Sequence, residues 1–223
     1  MAASALWIPD PYRRALLVLA QLEADEAEKL IEGFRSTEPF RRVADLRAVA
    51  HAALPPQHNP QAARLVQALL SLAGQLRDSS ADEVADAVSR SPDFDFSPEE
   101  QAKLRSRLQL LVQAAAITTT ARALELLTEN DRNYQTARVI TDLRPVFGPD
   151  VEQRPPGAVI VEMLQLHTWG RNGDPETIYV AMDEADLQEL QGVVERALKK
   201  TKTLKQHLEE REMYYFELDK RDV

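Results

Sequence analysis

Four histidines, an aspartate pair and a lysine-rich run are the residues of this chain whose types could do chemistry. The histidines are His51, His58, His167 and His207. A zinc site needs three or four convergent ligands. His51 and His58 instead straddle the Pro-rich segment "PPQHNP", lack the i,i+4 spacing that would set two rings on one helix face, and have no nearby carboxylate ladder. In "LQLHTWGRNGDP", His167 with Trp169 and Asp174 resembles the lip of a binding site. His167 and Trp169 share a face of any strand that carries them, because side chains alternate along a strand. The simpler reading is a partly exposed strand end with an amphipathic aromatic, and a ligand role, a catalytic role and a partner contact all stay open. The repeated aspartates of "DFDF" (Asp93 to Phe96) could pass for metal ligands, but Pro92, Ser97 and Pro98 mark a turn leading into a capped helix.

Other chemistries have no carrier. With no cysteine there are no disulfides, no thiolate nucleophile and no Cys-based zinc site. No serine sits in a G-x-S-x-G context, and the seven glycines form no phosphate loop. The sequence assigns no catalytic residue, no cofactor and no metal. The cations Arg196, Lys199, Lys200, Lys202 and Lys205 read as the solvated face of a long helix, with an anion, an acidic partner or nucleic acid as the alternative. Net charge is −9, spread along the chain: residues 1–133 carry 15 Lys/Arg against 19 Asp/Glu, and residues 134–223 carry 12 against 17. Neither part has the positive excess that duplex binding usually requires.

The elements that must position these residues change character near residue 133. Before it the chain reads as about six helices. "DPYRRALL" places Asp and Pro at a helix start, and Phe40, Val43, Leu46, Ala50 and Leu54 mark one apolar face. "PPQHNP" is a connector, after which Leu65, Leu69, Leu72 and Leu76 form another stripe. The best-signed start is "SPEEQAKL", with Ser97 as cap, Pro98 at the first turn and Glu100 completing a capping box. The β-branched run Thr118–Thr120 predicts a bend or break. After Asn133 the period shifts to two. Ala137, Val139, Thr141 and Leu143 alternate in a first strand, Ala158–Thr168 and Thr177–Met182 form two more around "GRNGDP", and Asp183 caps a long helix. The expected fold is α+β: a helical domain (1–133), then a small three-stranded antiparallel sheet with a long C-terminal helix (134–223). No apolar run approaches the roughly 20 residues that cross a bilayer, and "MAASALWIPDPY" does not read as a signal peptide. A cytoplasmic protein is expected.

Both faces of the second strand are apolar, Ala158, Ile160, Leu164 and Leu166 on one and Val159, Val161 and Met163 on the other. The third strand sets Ile178, Val180 and Met182 opposite Tyr179 and Ala181. One helix covers one face, so a second surface must cover the rest. In that helix Leu187, Leu190, Val194, Ala197, Thr201, Leu204 and Leu208 recur with 3,4 spacing; packing on the protein's own sheet is the preferred reading, with a coiled-coil seam as the alternative. The expected partner-binding residues are Val159, Val161, Met163, Trp169, Ile178, Val180, Leu190, Val194 and Leu204.

The order of "ARVITDLRPVF", a Pro-bearing connection into "PPGAVIVEMLQLH", "ETIYVAMD" and the helix "EADLQELQGVVERALKK", after about six helices, resembles the COMM-domain family over Tyr134 to Leu208. That family's first strand usually carries a tryptophan; Ile140–Arg144 has none, and the nearest is Trp169. The resemblance implies an obligate dimerisation module and a scaffold rather than a catalyst, with a second copy or a related paralogue as partner. An Ala-, Leu- and Arg-rich chain without cysteine reads as bacterial, so the family's eukaryotic endosomal setting is not part of the expectation. The alternatives are a ligand-binding protein or enzyme with an interdomain cleft near His167, and a regulator touching nucleic acid through Arg196–Lys205. The C-terminal "EMYYFELDKRDV" reads as a frayed end or a docking segment.

Overall fold

The computed structural model describes residues 8–39, 42–170, 173–213 and 215–216. The chain is α+β: seven helices, a three-stranded antiparallel sheet and a long final helix among these residues. The helices are α1 (Asp10–Gln21), α2 (Ala24–Arg35), α3 (Val43–Ala53), α4 (Ala62–Gly74), α5 (Ala81–Ser89), α6 (Pro98–Val112) and α7 (Ala115–Thr128). The sheet comprises β1 (Arg132–Val146), β2 (Gly157–Gly170) and β3 (Pro175–Met182), followed by α8 (Glu184–Glu210). Two compact units result, the first running to Leu127 and the second from Thr128, with Tyr215 and Phe216 falling in the first. Most of the C-terminal segment lies outside the described residues.

Helix starts follow local chemistry. The Ser97 hydroxyl accepts from the Glu100 N–H at 3.3 Å, while the Glu100 carboxylate accepts from the Ser97 N–H at 2.9 Å. Ser80 and Glu83 repeat this arrangement at α5, and Asp183 and Asp186 at α8. These bonds from Ser97 and Ser80 hold the Glu100 and Glu83 carboxyls below their usual pKa range, the backbone N–H being the larger cause. "DFDF" forms the turn before α6: the Phe94 N–H reaches the Ser91 carbonyl, Asp93 pairs with Arg13 at 3.0 Å, and Phe94 stacks on Phe96 at 4.6 Å.

The break expected at Thr118–Thr120 comes earlier. It falls at Gln113–Ala114, where α6 and α7 bend by 67°. The threonines continue as helix because the Thr118 hydroxyl bonds back to the Ala114 carbonyl (3.3 Å) and Thr120 is buried on the inner face of α7.

The helical unit closes a continuous core. Phe34, Leu16, Leu19, Leu30, Leu46, Leu65, Leu69, Leu104, Leu108, Leu111 and Ile117 are all under 2% exposed. Arg107 sits in this interior, and one of its guanidinium nitrogens donates to the Leu19 carbonyl at 2.8 Å and the Ala20 carbonyl at 3.0 Å. It thereby satisfies carbonyls that the end of α1 leaves without helical partners. Burial holds its pKa below the ordinary value for arginine, against the weaker opposing effect of Glu23.

The sheet is a meander in the order β1-β2-β3. β1 pairs with β2 along its length, with one irregularity between Tyr134 and Thr136; β3 pairs only with Glu162–Trp169, so residues 157–161 of β2 have no β3 neighbour. At Gly170 an added Cβ would meet a Glu176 carboxylate oxygen at 3.3 Å. The glycine leaves room for Arg132 Nε to donate to Glu176 across the strand at 2.6 Å. Among the described residues no single helix is long and apolar enough to cross a membrane.

Candidate self-association surface

Residues directly opposite in an antiparallel pair share a face. The register Leu164↔Val180, Leu166↔Ile178, Val139↔Leu164 and Leu143↔Ile160 therefore collects Val139, Leu143, Ile160, Leu164, Leu166, Ile178, Val180 and Met182 on one side of the sheet. The reverse side takes Arg138, Ile140, Asp142 and Arg144 from β1, Val159, Val161, Met163, Gln165, His167 and Trp169 from β2, and Thr177, Tyr179 and Ala181 from β3. The two sides differ in chemistry. The first is mostly apolar, its polar residues being the hydrogen-bonded pair Thr141–Glu162 (2.6 Å) and, toward the hairpin end, Thr168 with the Arg132–Glu176 pair. The second carries a polar chain across all three strands: Arg138 Nε donates to the Gln165 side-chain Oε1, and the Gln165 side-chain Nε2 donates to the Tyr179 hydroxyl at 2.9 Å.

The expected partner-binding residues are thus split. Val159, Val161, Met163 and Trp169 lie on the mixed side, while Ile178 and Val180 lie on the apolar side; Leu190, Val194 and Leu204 belong to α8. Alternation within single strands cannot tell which side of β3 matches which side of β2; only the register does. Left out are the two most exposed large apolar residues of the described strands, Leu143 at 69% and Ile160 at 64%. The signal for them was present in the alternation that sets Leu143 with Val139 and Ile160 with Leu164, and the β1–β2 register brings the two together.

The expectation that α8 packs its apolar stripe on its own sheet is not met. No residue of α8 is buried, and of the stripe only Leu187 and Leu208 are even half-buried. The helix is 27 residues long, about 40 Å at 1.5 Å per residue, and it follows β3, whose eight residues reach about 27 Å. β1 and β2, at 15 and 14 residues, are longer than the helix, so its exposure is not a matter of sheet length. The start of the helix adjoins the end of β3. There an open cavity of about 360 Å³ is lined by Val180, Met182, Leu190 and Val193 together with Asp186 and Glu189.

Candidate chemistry elsewhere stays dispersed. The His167 ring Nδ1 lies 3.1 Å from the Thr177 hydroxyl, its cross-strand neighbour, and Asp174 is exposed in the turn, where its backbone carbonyl accepts from the Gly170 N–H. His207 lies 3.2 Å from Glu210. Among the described residues no group of three or more His, Asp or Glu could hold a metal ion. Helical periodicity spreads Arg196, Lys199, Lys200, Lys202 and Lys205 around the circumference of α8, so they make no single basic face. Compared with known proteins, the chain matches no family model and no curated sequence.

Proposed function

We propose that this chain is a non-enzymatic, cytoplasmic scaffold that self-associates through its sheet and α8, as a homodimer or with a related paralogue. One observation carries the reading. Every buried hydrophobic residue described lies between Ile8 and Ala121, and the second unit buries only Gln165 and Thr168. A three-stranded sheet needs a packed face to be stable. Burying a large aliphatic side chain contributes about 1.5–3 kcal/mol. Leaving Val139, Leu143, Ile160, Val180 and the α8 stripe in water therefore forgoes on the order of 10 kcal/mol, comparable to a domain's net stability.

The apolar side is the contact surface in this reading, and the polar chain Arg138–Gln165–Tyr179 marks the side with less need of cover. The strand-strand-strand-helix order after a helical unit supports the COMM-like interpretation. The dispersed surroundings of His167 and of the α8 cations favour neither catalysis nor nucleic-acid binding. Sedimentation velocity on the intact chain tests the proposal. A dimer at micromolar concentration is expected, and a folded monomer at that concentration would overturn it.

A further inference from the structure

We propose that α8 pairs antiparallel with α8 of a second copy, in one register chosen by its charges. This rests on the self-association proposed above and adds its orientation. The stripe Leu187, Leu190, Val194, Ala197, Thr201, Leu204 and Leu208 keeps strict 3,4 spacing over 22 residues and is unburied along its length. That is a coiled-coil seam still without a partner.

The helix is electrically lopsided. Glu184–Glu195 holds four carboxylates (Glu184, Asp186, Glu189, Glu195) and no cation, while Arg196–Lys205 holds five cations and no carboxylate. A parallel, in-register pair sets like halves together and places Lys200 of each chain beside Lys205 of the other. An antiparallel pair sets each acidic half on a basic half.

Three antiparallel registers mesh the seam, and flanking charge together with seam length separates them. In one, Leu187 meets Leu204 of the other copy, Leu190 meets Thr201 and Val194 meets Ala197. The flanking positions then bring Glu184 to Lys205, Asp186 to His207, and Val193 to the aliphatic stem of Lys200. The last contact carries the Lys200 ammonium toward the cavity formed by Val180, Leu190 and Val193 with Asp186 and Glu189. Slipping one heptad toward the C-terminus puts Lys200 against itself. Slipping one heptad the other way leaves Leu204 unmatched. Like charge rejects the first alternative and the lost seam contacts reject the second, while opposite charges support the chosen register.

The absence of native cysteine makes the test clean. Leu187→Cys, Leu204→Cys and the double variant would be oxidised in the intact chain and separated on non-reducing gels, with sedimentation and circular dichroism run on each. Within one helix the two positions stand about 25 Å apart, far beyond disulfide reach, so any link joins two copies. The expected result is a covalent dimer from the double variant, and from a mixture of the two single variants, with little from either single variant alone. Homodimer links in Leu187→Cys alone would mean a parallel pair and overturn the proposal. A dimer in solution with no link in the double variant overturns the orientation and leaves self-association standing. A folded monomer overturns both. As a second measurement, Glu184→Lys and Lys205→Glu should each weaken dimerisation by roughly tenfold and the double reversal should restore it; failure to restore rejects the register.

Discussion

The helical unit and the sheet unit both carry long apolar stripes but spend them differently. In the first, stripes on α1, α4 and α6 meet one another, and Leu65, Leu69, Leu104, Leu108 and Leu111 are wholly enclosed. In the second, Leu143, Ile160, Val193, Leu198 and Leu204 are each more than half exposed. The lesson is that a regular backbone does not by itself imply a finished interior. The meander satisfies its ladder of hydrogen bonds while its side chains still face solvent.

The contrast can be broken from either side. The largest effect is expected from Ile160→Asp, which puts a charge on the apolar face at its most exposed end, beside Leu143. Dimerisation should weaken by roughly a thousandfold, read by sedimentation across a concentration series, while the helical unit keeps its thermal transition. Val159→Asp on the mixed side should weaken it far less, and equal effects would reassign the contact surface. Next, Leu108→Ala should destabilise the helical unit by about 2–5 kcal/mol in urea unfolding, with no dependence on protein concentration. Arg107→Met should follow at about 2–3 kcal/mol, because the Leu19 and Ala20 carbonyls lose their donor inside the core. Ser97→Ala should cost about 1 kcal/mol through loss of the α6 cap.

The smallest effect is a pH dependence of the helical unit. Because the folded state depresses the Glu83 and Glu100 pKa values, their contribution is complete above the ordinary carboxylate range and is lost as the pH falls through the depressed values. Stability followed from pH 7 to pH 3 should therefore decline, and Glu100→Gln should flatten part of that decline.

Much of this organisation can be read from residue order. The Ser97 and Asp183 caps, the change of period after Asn133 and the sides of β1 all follow from local rules that the fold obeys. Three features escape such rules for physical reasons. Arg107 occupies a stripe position next to Leu108, and a charge there looks like a solvated one until the end of α1 arrives from far along the chain. The threonines of α7 are stiff in isolation, but a hydroxyl-to-carbonyl bond and burial keep them helical. The partner-binding set mixed two sides of the sheet because register is a property of strand pairs, and the stripe of α8 stays exposed because a helical period shows that a face is apolar but not what covers it.

The confinement of the closed core to Ile8–Ala121 has a consequence in time. The first strand begins eleven residues after Ala121, about 0.5–2 s later at 5–20 residues per second. Helical domains fold in microseconds to milliseconds. On a translating ribosome the first unit is therefore settled before the sticky strands exist. Those strands then emerge already tethered to a well-hydrated carrier, which lowers the risk of clumping between neighbouring nascent chains while a mate is found.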